Sequence, residues 1–84
     1  MRLDKYLKVS RLIKRRTIAN EACDAARINV NGKAARASYD VKEGDIIEIN
    51  LGRNPLKVKV LEVREHTAKE GAANLYEVVE SAKP

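Results

Sequence analysis

The chain has 84 residues and a net charge of +5, with three tyrosines, one histidine, one cysteine and neither tryptophan nor phenylalanine. That length admits one modest core filled mainly by aliphatic side chains. A lone cysteine, Cys23, excludes an intrachain disulfide and any multi-cysteine zinc site, in keeping with a reducing compartment. Apolar runs of only a few residues predict neither a signal peptide nor a membrane span. The charge is uneven: residues 1–36 carry ten Lys/Arg against three Asp/Glu, and residues 37–84 carry seven against nine. A basic first half of +7 beside a second half of −2 points to a polyanionic partner, either nucleic acid or an acidic membrane surface.

Leu3, Tyr6 and Leu7 recur at helical spacing, which predicts a short amphipathic helix from Arg2 to about Val9 with Lys5 and Lys8 on its polar face. Asp4 in the first turn suits the helix dipole. A linker from Ser10 to Lys14 follows, with Leu12 and Ile13 turned inward. Ile18, Ala19, Ala22, Cys23 and Ala26 then mark the inner face of a second helix from about Arg15, and the small residues allow the two helices to approach closely. From Arg27 the period becomes alternating: "RINVNGK" predicts a strand with Ile28 and Val30 inward, entering an Asn31-Gly32 type I′ turn. A loop or short return strand covers Lys33 to Asp40. "VKEGDIIEINL" places a Gly44-Asp45 turn before a strand with Ile47, Ile49 and Leu51 inward. "GRNP" is a further turn, and Leu56, Val58 and Val60 alternate in the next strand. Thr67 and Glu70 have capping-box spacing, but Gly71 follows and allows at most one helical turn. "LYEVV", Leu75 to Val79, is a last strand and "SAKP" a frayed tail. The fold class is α+β: two N-terminal helices packed on a small, mainly antiparallel sheet.

Catalysis has little support. Nucleophilic chemistry needs a base beside its nucleophile, yet Cys23 and His66 fall in unrelated elements. Cys23 on an apolar helix face reads as a small core residue, and His66 in a polar loop as surface. The carboxylates Glu43/Asp45 and Glu62/Glu65 read as turn and surface residues, without metal-loop spacing. No glycine pattern for a phosphate loop or dinucleotide site is present. Neither a cofactor nor a small-molecule substrate is expected.

The strongest signal is basic. Arg2, Lys5, Lys8, Arg11, Lys14, Arg15 and Arg16 place seven cations in a fifteen-residue window whose one acid is Asp4. Arg15 and Arg16 stand where the second helix begins, against its positive dipole end, at a cost of roughly 0.3–1 kcal/mol each. An anion lying there would offset that cost: Arg forks bind phosphate bidentately, and the first N–H groups of the helix donate to the same oxygens. A membrane-surface helix needs a broad exposed apolar face, whereas Leu3, Leu7 and Ile18 are needed for the core. No recognition-helix motif, zinc knuckle or aromatic platform is visible, so backbone and shape readout of structured RNA fits better than recognition of splayed bases. Arg16 is expected at the surface and unpaired.

The order of motifs carries a resemblance. "RLDKYL" (2–7), "RLIKRRTIA" (11–19), "INVNGK" (28–33) and "VKEGDIIEI" (41–49) resemble the S4 RNA-binding domain over residues 1–51, with residues 52–84 as a β extension and tail of the same compact unit. A free-standing S4 domain with the extension "AANLYEVV" is similar to the RqcP family of bacterial ribosome-associated quality control. The heat-shock S4 proteins, which rescue dissociated large subunits bearing peptidyl-tRNA, are the competing relatives, but they usually carry a longer basic C-terminal extension. The resemblance implies a cytoplasmic factor that binds the obstructed large ribosomal subunit, touching 23S rRNA and peptidyl-tRNA near the P site. There it would support template-free alanine tailing directed by its partner RqcH. Arg2 and Arg16 match the family's principal RNA-contacting arginines, and Lys5, Arg11 and Lys14 its other basic positions; Lys8 and Arg15 are looser matches. Asp4 would orient neighbouring cations, and Asn31-Gly32 would shape the hairpin. Two departures stand out. Arg15 replaces a serine that would cap the second helix, and Ala26 replaces a glycine at its end, so that either the helix ends differently or Ala26 is strained. A protein-interaction adaptor using the acidic second half is the alternative from another class.

Overall fold

The structure, a computed structural model, describes residues 1–50, 55–64 and 75–81. Helix α1 spans Leu3–Val9 and α2 spans Arg16–Asp24. The strands are β1 (Ile28–Val30), β2 (Lys33–Ala34), β3 (Ile46–Ile49), β4 (Leu56–Val60) and β5 (Tyr76–Ser81). They form one antiparallel sheet in the order β2-β1-β3-β4-β5, so the chain is α+β as its periodicities require. Leu51, the turn residues 52–54, His66, the Thr67/Glu70 pair and residues 82–84 lie outside the described residues.

The apolar stripe of α1 is buried completely: Leu3, Tyr6 and Leu7 are all 0% exposed. They meet the inward residues of the sheet, Ile28, Val30, Ile47, Ile49, Val58 and Val60, in one core. Tyr6 also reaches across it, its hydroxyl donating to the Leu75 carbonyl at 2.7 Å. The first helix is thereby tied to the entry of β5, and burial pushes the phenol well above its ordinary pKa. Ala19 and Ala22 are buried where α2 packs against α1, the close approach that small side chains permit.

Ile18 departs from expectation. It is 46% exposed, because the inward arc of α2 is Ala19, Ala22 and Cys23 at i, i+3, i+4, and Ile18 lies about 100° round the helix from Ala19. Cys23 is a core residue, and burial, with Asp4 and Asp24 adding to it, pushes its thiol up to about 11.

Positive φ angles mark the joints. Asn31 (φ 53°) and Gly32 (φ 87°) make the tight turn that pairs Val30 with Lys33. The end of α2 is a Schellman motif: Ala26 N–H donates to the Cys23 carbonyl at 3.0 Å, and Arg27 N–H to that of Ala22 at 2.9 Å. Ala26 occupies the left-handed position at φ 61°, so the helix ends as it would with glycine and the alanine bears the strain. Arg11, just past α1, is also left-handed at φ 63°, its N–H donating to the Lys8 carbonyl at 3.0 Å.

Candidate nucleic-acid interface

The first turn of α1 is held by the segment that precedes β3. Leu3 N–H donates to the Tyr39 carbonyl at 2.8 Å and Asp4 N–H to that of Ala37 at 3.2 Å. Arg2 pairs with Asp40 as an isolated antiparallel bridge. These bonds fix where the Arg2 and Asp4 side chains begin, and the packing of α2 on α1 brings Arg16 to the same place.

Asp4 is the hub. Its side chain is 3% exposed, while those of Arg2 and Arg16 are 50% and 46% exposed. Arg2 donates from Nε to Oδ1 at 3.1 Å and from Nη2 to Oδ2 at 3.4 Å. Arg16 approaches from the other helix, with Nε 3.2 Å from Oδ2 and Nη2 donating to Oδ1 at 3.4 Å. Asn20 donates to Oδ2 at 3.4 Å, and the Lys5 backbone N–H to Oδ1 at 2.8 Å. Burial alone would raise the carboxyl's pKa. The hydrogen bonds from Arg2, Arg16 and Asn20 outweigh it and hold the group at about 2, so Asp4 stays ionised.

One buried carboxylate thus orders two guanidinium forks from different helices and leaves about half of each in solvent. A guanidinium has more N–H donors than these contacts use, so both forks can still take phosphate oxygens. The expectation that Arg16 is unpaired is corrected: it lies at the surface but shares Asp4 with Arg2. Asn20 joins the hub as a residue that the cation pattern does not single out. Its signal is spacing, since i+4 from Arg16 places it one turn along the same face.

Of the remaining predicted cations, Lys8, Arg11, Lys14 and Arg15 are exposed, and Lys5 is half-buried. Lys8 continues the polar face of α1 beyond Lys5, and Arg11 and Lys14 lie on the connection to α2. None of these four exposed side chains is drawn into the Asp4 hub. Arg15 occupies the N-cap of α2 with extended backbone, no side-chain cap bond and no acidic residue in the first turn. Beside this helix start, Asp4, Arg16, Thr17, Asn20 and Glu21 line a cleft of about 370 Å³. Among the described residues, no helix is long and apolar enough to cross a membrane.

Comparison with known proteins identifies the family. Residues 1–47 match the S4 domain family. A Streptococcus pneumoniae protein named RQC P-site tRNA stabilizing factor is 54% identical over 83 residues, covering 99% of this chain and 94% of its own. A Bacillus subtilis protein of the same name is 52% identical over 83 residues, covering 99% and 96%. A trimeric structure of Vibrio cholerae heat shock protein 15 superposes with a TM-score of 0.87 at 25% identity, covering 94% of this chain and 81% of that one. With its matched segment spanning both helices, the arginine hub and the first hairpin, the chain belongs to the S4 RNA-binding domain family.

Proposed function

We propose that this protein stabilises P-site tRNA on obstructed large ribosomal subunits during ribosome-associated quality control, by binding rather than by catalysis. The observation that carries the reading is the buried Asp4 holding Arg2 and Arg16 as two half-exposed forks. Such a pair suits two phosphates of a folded RNA, since the forks are pre-ordered and little side-chain freedom is lost on binding. The names of the near-full-length relatives supply the ribosomal setting. In this reading Arg2 and Arg16 form the centre of the contact, and Lys5, Lys8, Arg11, Lys14 and Arg15 extend it along the 23S rRNA and the peptidyl-tRNA. Holding that tRNA in place in the cytoplasm would support alanine tailing by RqcH.

Arg16→Ala tests it. Asp4 keeps Arg2, Asn20 and the Lys5 N–H, so the variant should remain folded and lose about 1 kcal/mol or less of stability, because the removed guanidinium is half-exposed and the buried carboxylate retains its other donors. Co-sedimentation with large subunits carrying peptidyl-tRNA should fall, and alanine tails on stalled chains should diminish in cells. Undiminished tails in the absence of the protein would instead favour the heat-shock type of subunit rescue.

A further inference from the structure

The turn that fixes α1 is also the wall of a second feature. Between strand β2 and residues 35–39 lies a groove of about 640 Å³, lined by Val30, Lys33, Ala35, Arg36, Ser38 and Tyr39 among others. That volume is within the range of sites that hold small organic groups, roughly 300–1,000 Å³. The lining is largely apolar, yet two exposed cations, Lys33 and Arg36, belong to it and none of its lining residues is acidic. Two carboxylates outside the lining act on Tyr39: Asp40, which pairs with the N-terminal ammonium at 2.7 Å, and Asp45. Asp45 accepts from Asn31 Nδ2 at 3.1 Å, from the Tyr39 hydroxyl at 2.9 Å and from the Lys42 backbone N–H at 3.0 Å. These bonds hold Tyr39 and Asn31 at the groove.

Two further observations point to the occupant. Strand β2 is an edge of the sheet, and its register, with Val30 opposite Lys33 and Ala35 N–H on the Ile28 carbonyl, turns the Ala34 N–H outward. An edge N–H beside two cations can donate to a phosphate or ribose oxygen. The wall of the groove is also tied to the first turn of α1, because Tyr39 gives its carbonyl to Leu3.

We infer that this groove carries a second, unpaired stretch of the same RNA, with phosphates at Lys33 and Arg36 and the sugar-base portion over the apolar floor. The inference rests on the RNA-binding reading above and extends its surface from the helices to the sheet edge.

The test uses the full chain, a fluorescent tRNA and purified large subunits, with Lys33→Ala, Arg36→Ala, Arg16→Ala and Lys59→Ala compared. Lys59 is an exposed cation of β4 outside the groove and serves as the charge control. Thermal melts of all four should resemble that of the parent to within a few degrees. Each groove variant should weaken binding severalfold near 0.1 M salt and reduce the salt slope by roughly 0.7–0.9, while Lys59→Ala leaves both unchanged. Hydroxyl-radical footprints on the bound RNA should lose a stretch different from the one lost with Arg16→Ala. If the groove variants bind like the parent while Arg16→Ala is weakened, the groove is not an RNA site and the arginine reading stands. If Lys59→Ala weakens binding as much, the effect is general charge and the groove is again refuted. Should all four bind like the parent, the RNA reading itself fails.

Discussion

Asp4 opposes the basic character of the residues around it, yet its burial among two arginines makes it the residue on which their geometry depends. Two effects of removing it have opposite signs. Asp4→Asn adds one unit of positive charge, which by long-range electrostatics alone would tighten RNA binding. The amide, however, turns an N–H towards the guanidinium forks and releases them. If ordering dominates, binding weakens despite the gained charge, and affinity measured at two salt concentrations separates the two. Stability should follow pH in a related way. The Asp4 carboxyl is depressed from 3.8 to about 2 in the folded protein, so its contribution is fully present above about pH 4 and is lost as pH falls towards 2. An acid titration followed by circular dichroism should show that loss in the parent, and Asp4→Asn should lack this part of it.

At the scale of elements, both ends of α2 forgo stability. The N-cap is Arg15, which offers no oxygen to the first N–H groups. Arg15→Ser should raise stability by about 1 kcal/mol, as side-chain caps do, while weakening RNA binding through the lost cation. Opposite movement of melting temperature and affinity would identify Arg15 as a residue kept for its charge. At the other end Ala26 is held at φ 61°. Ala26→Gly should stabilise by roughly 0.5–1 kcal/mol, the left-handed penalty of alanine less the entropy of glycine, and should leave RNA binding unchanged. Denaturant midpoints at constant slope would show both effects.

The same elements show what the sequence carried. Period-2 burial placed Ile28, Val30, Ile47 and Ile49 inward, and Asn31-Gly32 specified its own turn, because these are local rules that need no partner. Ile18 reads as inward from spacing alone because one exposed position of a short helix can mimic an apolar stripe until the crossing of α1 and α2 decides which arc is covered. The left-handed Arg11 left no signal, since nothing in an arginine announces positive φ. The basic window was visible as charge. The convergence of residues 2, 4, 16 and 20 was not, because it depends on how two helices cross rather than on spacing along either.

At the scale of the whole molecule, charge among the described residues is sorted by surface. The cations of residues 2–16 belong to the helices and their connection, whereas Glu48 stands opposite Lys57 and Glu77 opposite Lys59 in the sheet. Cross-strand neighbours of opposite sign stabilise the ladder and break up the acidic character of the second half. A protein adaptor reading the glutamates of β3 and β5 would find them opposite lysines, while an RNA would meet the cations of the helices. This distribution makes salt dependence the most direct measure of the central claim. Binding of the full chain to large subunits carrying peptidyl-tRNA should be titrated from low to high salt, for the parent and for the Arg2→Ala/Arg16→Ala double variant. With about five phosphates neutralised, log affinity against log salt should have a slope of roughly −3.5 to −4.5, shallower by about 1.4–1.8 in the double variant. A slope near zero, or one that the double substitution leaves unchanged, would contradict phosphate recognition by the arginine pair.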